Sequence, residues 1–319
     1  MLKSKTLYAR LLALGAAGLL ALTACTSTSE DTEGSNGDTG AAITVSAAAS
    51  LTDVIEELVT EYQKEHEGFS LKTNLGASSK LADSTPTGHS PVAFGITGAK
   101  AAELGWDVRQ PTWAEIAEAA ADGKVTFGMT DPSASNSGFS ALVSVATALS
   151  DTGSALTSAD IDRITPQLQG FFSGQTLTSG SSGWLTDTWL ADRSRADALI
   201  NYESVLHTLV QQSPDVSVIV PADGVVSADY PLSTLVAPAQ PQAREKVAAL
   251  GEWLLARPEV LTDTYRRPID RDADLPADLD VPLLIELPFP ANRTITDQLV
   301  AAFHNELRTP LELDVAANR

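Results

Sequence analysis

The chain has 319 residues, of which 41 are acidic and 21 basic, giving a formal net charge of −20, and it contains one cysteine. Such an acidic chain is repelled by nucleic acid and kept soluble by its surface charge. A single thiol excludes a disulfide framework and cysteine-built metal sites.

The first residues read as an export leader. Lys3, Lys5 and Arg10 form a positive segment, and Leu11 to Leu22 is an unbroken apolar run. A bilayer needs about 20 such residues, so this run suits a signal core better than a membrane span. It closes on "LTAC", small residues directly before Cys25, which resembles a bacterial lipobox whose cysteine is lipidated and becomes the new N-terminus. Residues 1–24 are therefore expected to be a lipoprotein signal peptide. The mature protein would sit on the extracellular face of the cell membrane, held by acyl chains worth ~0.8 kcal/mol per buried methylene. Residues 25–42, "CTSTSEDTEGSNGDTGAA", have almost nothing to bury and read as a flexible tether.

From Ile43 short strands alternate with helices. Ile43 and Val45 start a strand, and Leu51, Val54, Ile55, Leu58, Val59 and Tyr62 follow at helical spacing. Phe69, Leu71, Thr73 and Leu75 alternate as a strand. "PTWAEIAEAAADGK" is a helix opened at Thr112 and stopped at Gly123. Val125, Phe127 and Met129 lead into a serine-rich loop, after which Phe139, Leu142, Val143, Ala146 and Leu149 mark a helix. A strand at Ala198 to Ile200 precedes a helix near Tyr202. Val216, Val218 and Val220 lead to the turn "PADG", and Val247, Leu250, Trp253 and Leu254 mark a further helix. This order predicts an α/β fold with largely parallel sheets.

Three segments share one design, in which a strand ends, small polar residues follow and a helix begins: "SAAASLTD", "NLGASSKLA" and "TDPSASNSGFSA". In open α/β sheets, ligands lie off the carboxyl ends of strands, where helix N-termini present unpaired N–H groups. The candidate donors are Ser50, Ser78, Ser79, Ser135, Asn136 and Ser137. A single serine of this kind is equally an N-cap. Capping does not explain repeated Ser-Ser and Ser-Asn-Ser runs, and these neutral donors suit a dehydrated small ligand, an oxyanion especially.

"ITVSAAASLTDVIEELVTEYQKEH" followed by "LKTNLGASSKLA" resembles the start of molybdate-type extracellular solute-binding proteins. "GKVTFGMTDPSASNSGFSA", "ALINYESV" and "VIVPADGVVSADYPLSTLV" continue the likeness more loosely. The resemblance implies a type II periplasmic-binding-protein fold, two lobes joined by a hinge, serving as the receptor of an ABC importer and its permease. It places the oxyanion contacts on Ser50, Ser78, Ser137 and Tyr202. Within this class the chain is most similar to actinobacterial domains that precede a von Willebrand factor A domain, with "LLIELPFPANRTITDQLVAAFHNELRTP" as the connector. A solute-binding-like domain is expected over 43–268, with lobe 1 at about 43–96 plus 216–268 and lobe 2 at about 97–215. An acidic linker and a helix carrying Ile295, Leu299, Phe303 and Leu307 would fill 269–319. Hinge strands are expected near Pro91 to Ile96 and Tyr230 to Val236. Only Ala82 to Ser90 stands where such proteins have a longer segment, so this stretch is expected to be irregular and the first lobe truncated.

Rival chemistry is thin. Asp131-Pro132-Ser133-Ala134-Ser135 matches the D-x-S-x-S cation motif, but no later partners are evident, so Asp131→Ala is expected to matter little. Asp270, Asp272 and Asp274 have Ca²⁺-loop spacing without the glycine and glutamate that complete such a loop. His66, His89, His207 and His304 show no ligand spacing, "SGSSGW" is not a nucleophile elbow, and no phosphate loop occurs. Glu203 reads as a surface or capping residue, and Trp184 and Trp189 as core or cleft wall. The sequence therefore predicts a non-enzymatic protein without cofactor or metal. Two roles stay open: a receptor for a small polar solute, and a ligand-free scaffold working with a von Willebrand factor A-type partner.

Overall fold

A computed structural model describes residues 43–47, 52–66, 71–75, 81–235, 241–270, 273–279 and 284–307. These fall within one compact unit, Gly40–Arg319. Strands β1 (Ile43–Ala47) and β2 (Leu71–Leu75) pair in parallel, joined through helix α1 (Thr52–Glu65). The long strand β3 (Leu81–Thr97) follows, then α2 (Gly98–Leu104) and α3 (Trp113–Ala121). Next come β4 (Phe127–Thr130), α4 (Asn136–Ser150), α5 (Ser158–Ser173), β5 (Gln175–Ser179) and α6 (Ser182–Ala191). Then β6 (Ala198–Tyr202), α7 (Glu203–Gln212), β7 (Val216–Ile219) and β8 (Ser227–Leu235) complete the middle of the chain. The C-terminal part holds α8 (Pro241–Leu255), α9 (Glu259–Thr262), the short β9 (Arg267–Pro268) and α10 (Arg293–Ala302), which runs into a π-helical turn, Phe303–Leu307.

The main sheet has the order β5-β4-β6-β3-β7, with β8 and β9 also pairing β3. Strands β4, β5 and β6 are mutually parallel where they meet, and β3 runs against β6 and β7. This sheet takes in Val92 to Thr97 and all of β7, so it extends past the 97–215 bounds read from the sequence.

The segment Ala82 to Ser90 is not irregular. It lies inside β3 and pairs antiparallel with β8 from Leu81↔Leu235 to Pro91↔Ser227. Pro86 and Gly88 favour turns by local preference. The returning strand β8 overrides that local preference by supplying a partner, and the ladder absorbs the misfit in register shifts at Leu81/Asp83 and Pro86/Gly88. Pro86, which has no N–H to give, sits at one of them. The two expected hinge stretches do not pair with each other: Tyr230 to Leu235 lies against Leu81 to Gly88, while Val92 to Ile96 pairs with β6 and β7 in the main sheet.

Local chemistry sets the helix bounds. Thr112 and Glu115 form a capping box on α3, and Thr157 and Asp160 do the same for α5. The core is built on Phe94, Trp113, Phe127, Met129, Leu142, Ile164, Phe171 and Phe172, all fully buried. Phe127 stacks on Phe171 at 4.6 Å. The C-terminal helix joins this same core: Leu299, Phe303 and Leu307 are buried, and Phe303 meets Phe172 edge-on at 5.2 Å. A second cluster unites Leu58 and Tyr62 of α1 with Leu250, Trp253 and Leu254 of α8 and with Val260 and Leu261.

Before α10 the chain forms a strap over the β7–β8 turn. Val225 donates to Ile285 O at 2.9 Å and accepts from Leu287 N at 2.8 Å, while Phe289 stacks on Phe139 of α4 at 6.2 Å. Gly224 makes this approach possible. Its φ is +103°, and a Cβ there would lie 2.9 Å from Ile285 Cγ2.

Candidate functional site

The carboxyl ends of β4, β5 and β6 lie side by side, and each strand feeds a helix whose N-terminus returns to that edge. Helix α4 is the most exposed in hydrogen-bonding terms. Its first internal bond runs from Phe139 N to Ser135 O at 3.0 Å, so the N–H groups of Asn136, Ser137 and Gly138 have no carbonyl partner inside the helix. Ser135 occupies the cap position without making a side-chain cap. Its hydroxyl meets Ser137 Oγ at 3.0 Å, and Ser137 Oγ meets Thr130 Oγ1 at 2.8 Å.

Ser137 is only 2% exposed. Its hydroxyl is therefore spent on seating the turn, and what it can offer a ligand is its backbone N–H. Gly138 allows that seating. A Cβ at this position would stand 2.2 Å from Thr130 O.

Asp131 shapes the loop between β4 and α4. Its Oδ1 accepts from Ser133 N at 2.8 Å and from the Ser133 hydroxyl, and its carbonyl accepts from Ala134 N and Ser135 N. The sequence reading gave this residue little importance. In the structure its carboxylate and carbonyl hold the turn between β4 and α4.

Tyr202 ends β6 at the N-cap position of α7 and is 3% exposed. Asn136 Nδ2 donates to its phenol oxygen at 2.9 Å. Burial, reinforced by Tyr230 nearby, pushes the phenol well above its ordinary value, with Ser140 and Asn136 pulling the other way. Tyr202 stays protonated and is a hydrogen-bond donor. The structure thus brings Ser135, Asn136, Ser137 and Tyr202 together. Ser50, Ser78, Ser79 and Cys25 lie outside the described residues.

Glu203 is neither a surface nor a capping residue. It is 1% exposed and receives two bonds from Arg267, Nε to Oε2 at 2.8 Å and Nη2 to Oε1 at 2.9 Å. Desolvation raises its carboxyl above the usual range, and Arg267 opposes that rise. One residue further on, Ser204 N donates to Ser90 Oγ of β3 at 3.1 Å.

The sequence reading missed the third helix end. Strand β5 ends at Ser179; Gly180 and Ser181 follow, and Ser181 Oγ accepts from Trp184 N to start α6 at Ser182. Asn201 of β6 locks this turn to the site, with Nδ2 donating to Ser182 O at 3.1 Å and Oδ1 accepting from Tyr202 N at 2.9 Å. Ser179 pairs in register with Thr130, and its buried hydroxyl has no hydrogen-bond partner. The signal was present in "SGSSGW", whose strand–serine–helix pattern matches that of the α4 loop. Trp189 is core, donating its indole N–H to Ala196 O at 2.9 Å, while Trp184 is half-buried beside Gly180.

This site offers backbone N–H groups, hydroxyls, an amide and a phenol. The guanidinium of Arg267 is paired with Glu203 through two bonds. No group of three or more His, Cys, Asp or Glu that could hold a metal is gathered among the described residues.

The fold recurs in solved structures. It is that of the type II periplasmic-binding proteins. The chain is similar to the periplasmic binding protein P5PA, with a TM-score of 0.58 and 14% identity over 84% of this chain and 100% of that one. It is similar to a periplasmic thiamin binding protein, with a TM-score of 0.58 and 11% identity over 84% and 96% of the two chains. The sulfate-binding protein SubI from Mycobacterium tuberculosis gives a TM-score of 0.57 and 15% identity over 86% and 94%. No protein-family profile matches the chain, and no curated protein matches its sequence. No helix among the described residues is long and apolar enough to cross a membrane.

Proposed function

We propose that this protein is an extracytoplasmic solute receptor that holds a small oxyanion or similarly polar ligand at the start of α4. The observation that carries this reading is the set of three N–H groups at Asn136, Ser137 and Gly138, without partners inside the helix and flanked by the buried phenol of Tyr202. Helix-end partial charges add ~0.3–2 kcal/mol for an anion there. Each neutral hydrogen bond adds ~0.5–1.5 kcal/mol net, so five or six at the upper end of that range reach the ~8 kcal/mol of micromolar binding without a free Arg or Lys.

In this reading Ser50, Ser78 and Ser79 close on the ligand from the other lobe, as in the molybdate-type proteins that the sequence resembles. Cys25 carries the lipid anchor, and the loaded receptor docks on an ABC permease. The solved structures support the reading by their names, which describe binding proteins for sulfate and thiamin.

The test is a thermal-shift panel of molybdate, tungstate, sulfate, phosphate, amino acids and sugars on the mature chain. A ligand that binds the native state raises the melting temperature by mass action. If no compound shifts the transition, the receptor reading fails and the scaffold reading takes its place.

A further inference from the structure

Two consecutive residues of α7 are pinned to β9 and β3 by side chains. Glu203 is gripped at both carboxylate oxygens by Arg267 of β9, at 2.8 and 2.9 Å, with the two side chains 1% and 6% exposed. Arg267 itself is in register with His89 of β3, in the stretch that β3 shares with β8. Ser204 is held by Ser90 of that same stretch, through N–H to Oγ at 3.1 Å and Oγ to Oγ at 3.2 Å. Immediately before them stands Tyr202, whose phenol reaches across to Asn136 in the first turn of α4.

A buried ion pair is weak evidence for stability. The cost of desolvating two charges roughly cancels their attraction, and well-packed apolar residues often serve as well. What such a pair supplies is geometry, because a fork of two parallel bonds fixes both distance and orientation. We propose that Glu203 and Arg267 are positioning residues that hold the first turn of α7, and through it Tyr202, in register with the start of α4. They tie the carboxyl end of β6 to β9 and β3. The proposal rests on the reading of Tyr202 as a ligand contact only in its final step, the effect on affinity.

The experiment compares the parent protein with the double variant Glu203→Leu/Arg267→Met, which removes both charges and keeps apolar volume. The expected result is a melting temperature within a few degrees of the parent. Amide exchange at Tyr202 and Ser204, measured by NMR, should be at least ~10-fold faster, while Ile164 and Leu168 of α5 keep the parent rate. Unchanged exchange at Tyr202 and Ser204 would overturn the proposal. So would an acceleration shared equally by α5, which would mark the pair as a general support of the fold. In a second arm, titration with molybdate and with sulfate should show weaker binding to the double variant than to the parent. If the parent binds neither, nor any compound of the panel, the receptor reading falls while the exchange result still decides the positioning role.

Discussion

Asn136 Nδ2 donates to Tyr202 Oη across 2.9 Å, joining the first residue of α4 to the last residue of β6. The phenol oxygen is the acceptor in this bond, so the Tyr202 proton is not consumed by it. Removing the hydroxyl in Tyr202→Phe frees an amide that is already near solvent, so the stability loss should stay at about 0.5–1.5 kcal/mol. Ligand affinity should fall ~10-fold, the equivalent of ~1.4 kcal/mol, since a buried donor is lost from the site. Calorimetric titration of both proteins with the best compound of the panel checks this. Equal affinities would remove Tyr202 from the site.

Gly138→Ala sets two effects against each other. Alanine is favoured over glycine inside a helix by ~1 kcal/mol. Here the added methyl would stand 2.2 Å from a backbone oxygen, Thr130 O, which cannot swing aside. Overpacking against fixed backbone costs ~1–3 kcal/mol and should win. Urea denaturation should show a destabilised protein. A stabilised variant would mean that α4 does not seat on β4 as described.

The C-terminal strap and helix are part of the folded core. Phe303→Ala empties a site that is 2% exposed against Phe172, and should cost ~3–5 kcal/mol. Gly224→Ala adds both a strained φ and a clash with Ile285, and should loosen the strap at ~1–3 kcal/mol. A urea midpoint unaffected by Phe303→Ala would show α10 to be a detached appendage.

His207 gives the stability a pH dependence. Burial lowers its pKa below the ordinary 6.5, Arg267 acts the same way, and Asp278 opposes through its charge and a backbone hydrogen bond. A depressed value in the folded state means that its contribution is present above the unfolded value and is lost as pH falls through the folded one. The His207 contribution should therefore be lost on acidification below about pH 6.5, and His207→Gln should remove that loss. Denaturation midpoints measured across this range test the sign. A parent protein that gains stability relative to the variant on acidification would contradict it.

Much of the fold was legible because strong periodicity and caps coincide. Thr112 and Glu115 announce α3, and the spacing from Phe139 to Leu149 announces α4. The stretch Ala82 to Ser90 was not, because its strand character comes from β8, more than 140 residues away for Thr87 and Tyr230. Ser135, Asn136, Ser137 and Tyr202 were readable as polar residues at strand-to-helix junctions. The partnership of Glu203 with Arg267 was not, since no local pattern links positions 64 residues apart. Ser179 to Ser182 carried the right pattern and was tested only against a catalytic motif.

The most direct test of the central claim is an ¹H–¹⁵N titration of the assigned mature protein with molybdate, and with sulfate in parallel. The account predicts saturable shifts at the amides of Asn136, Ser137 and Gly138, larger than those at the first turn of α5, where Thr157 Oγ1 already accepts from Asp160 N. Binding of either anion that leaves these three amides unmoved would contradict it.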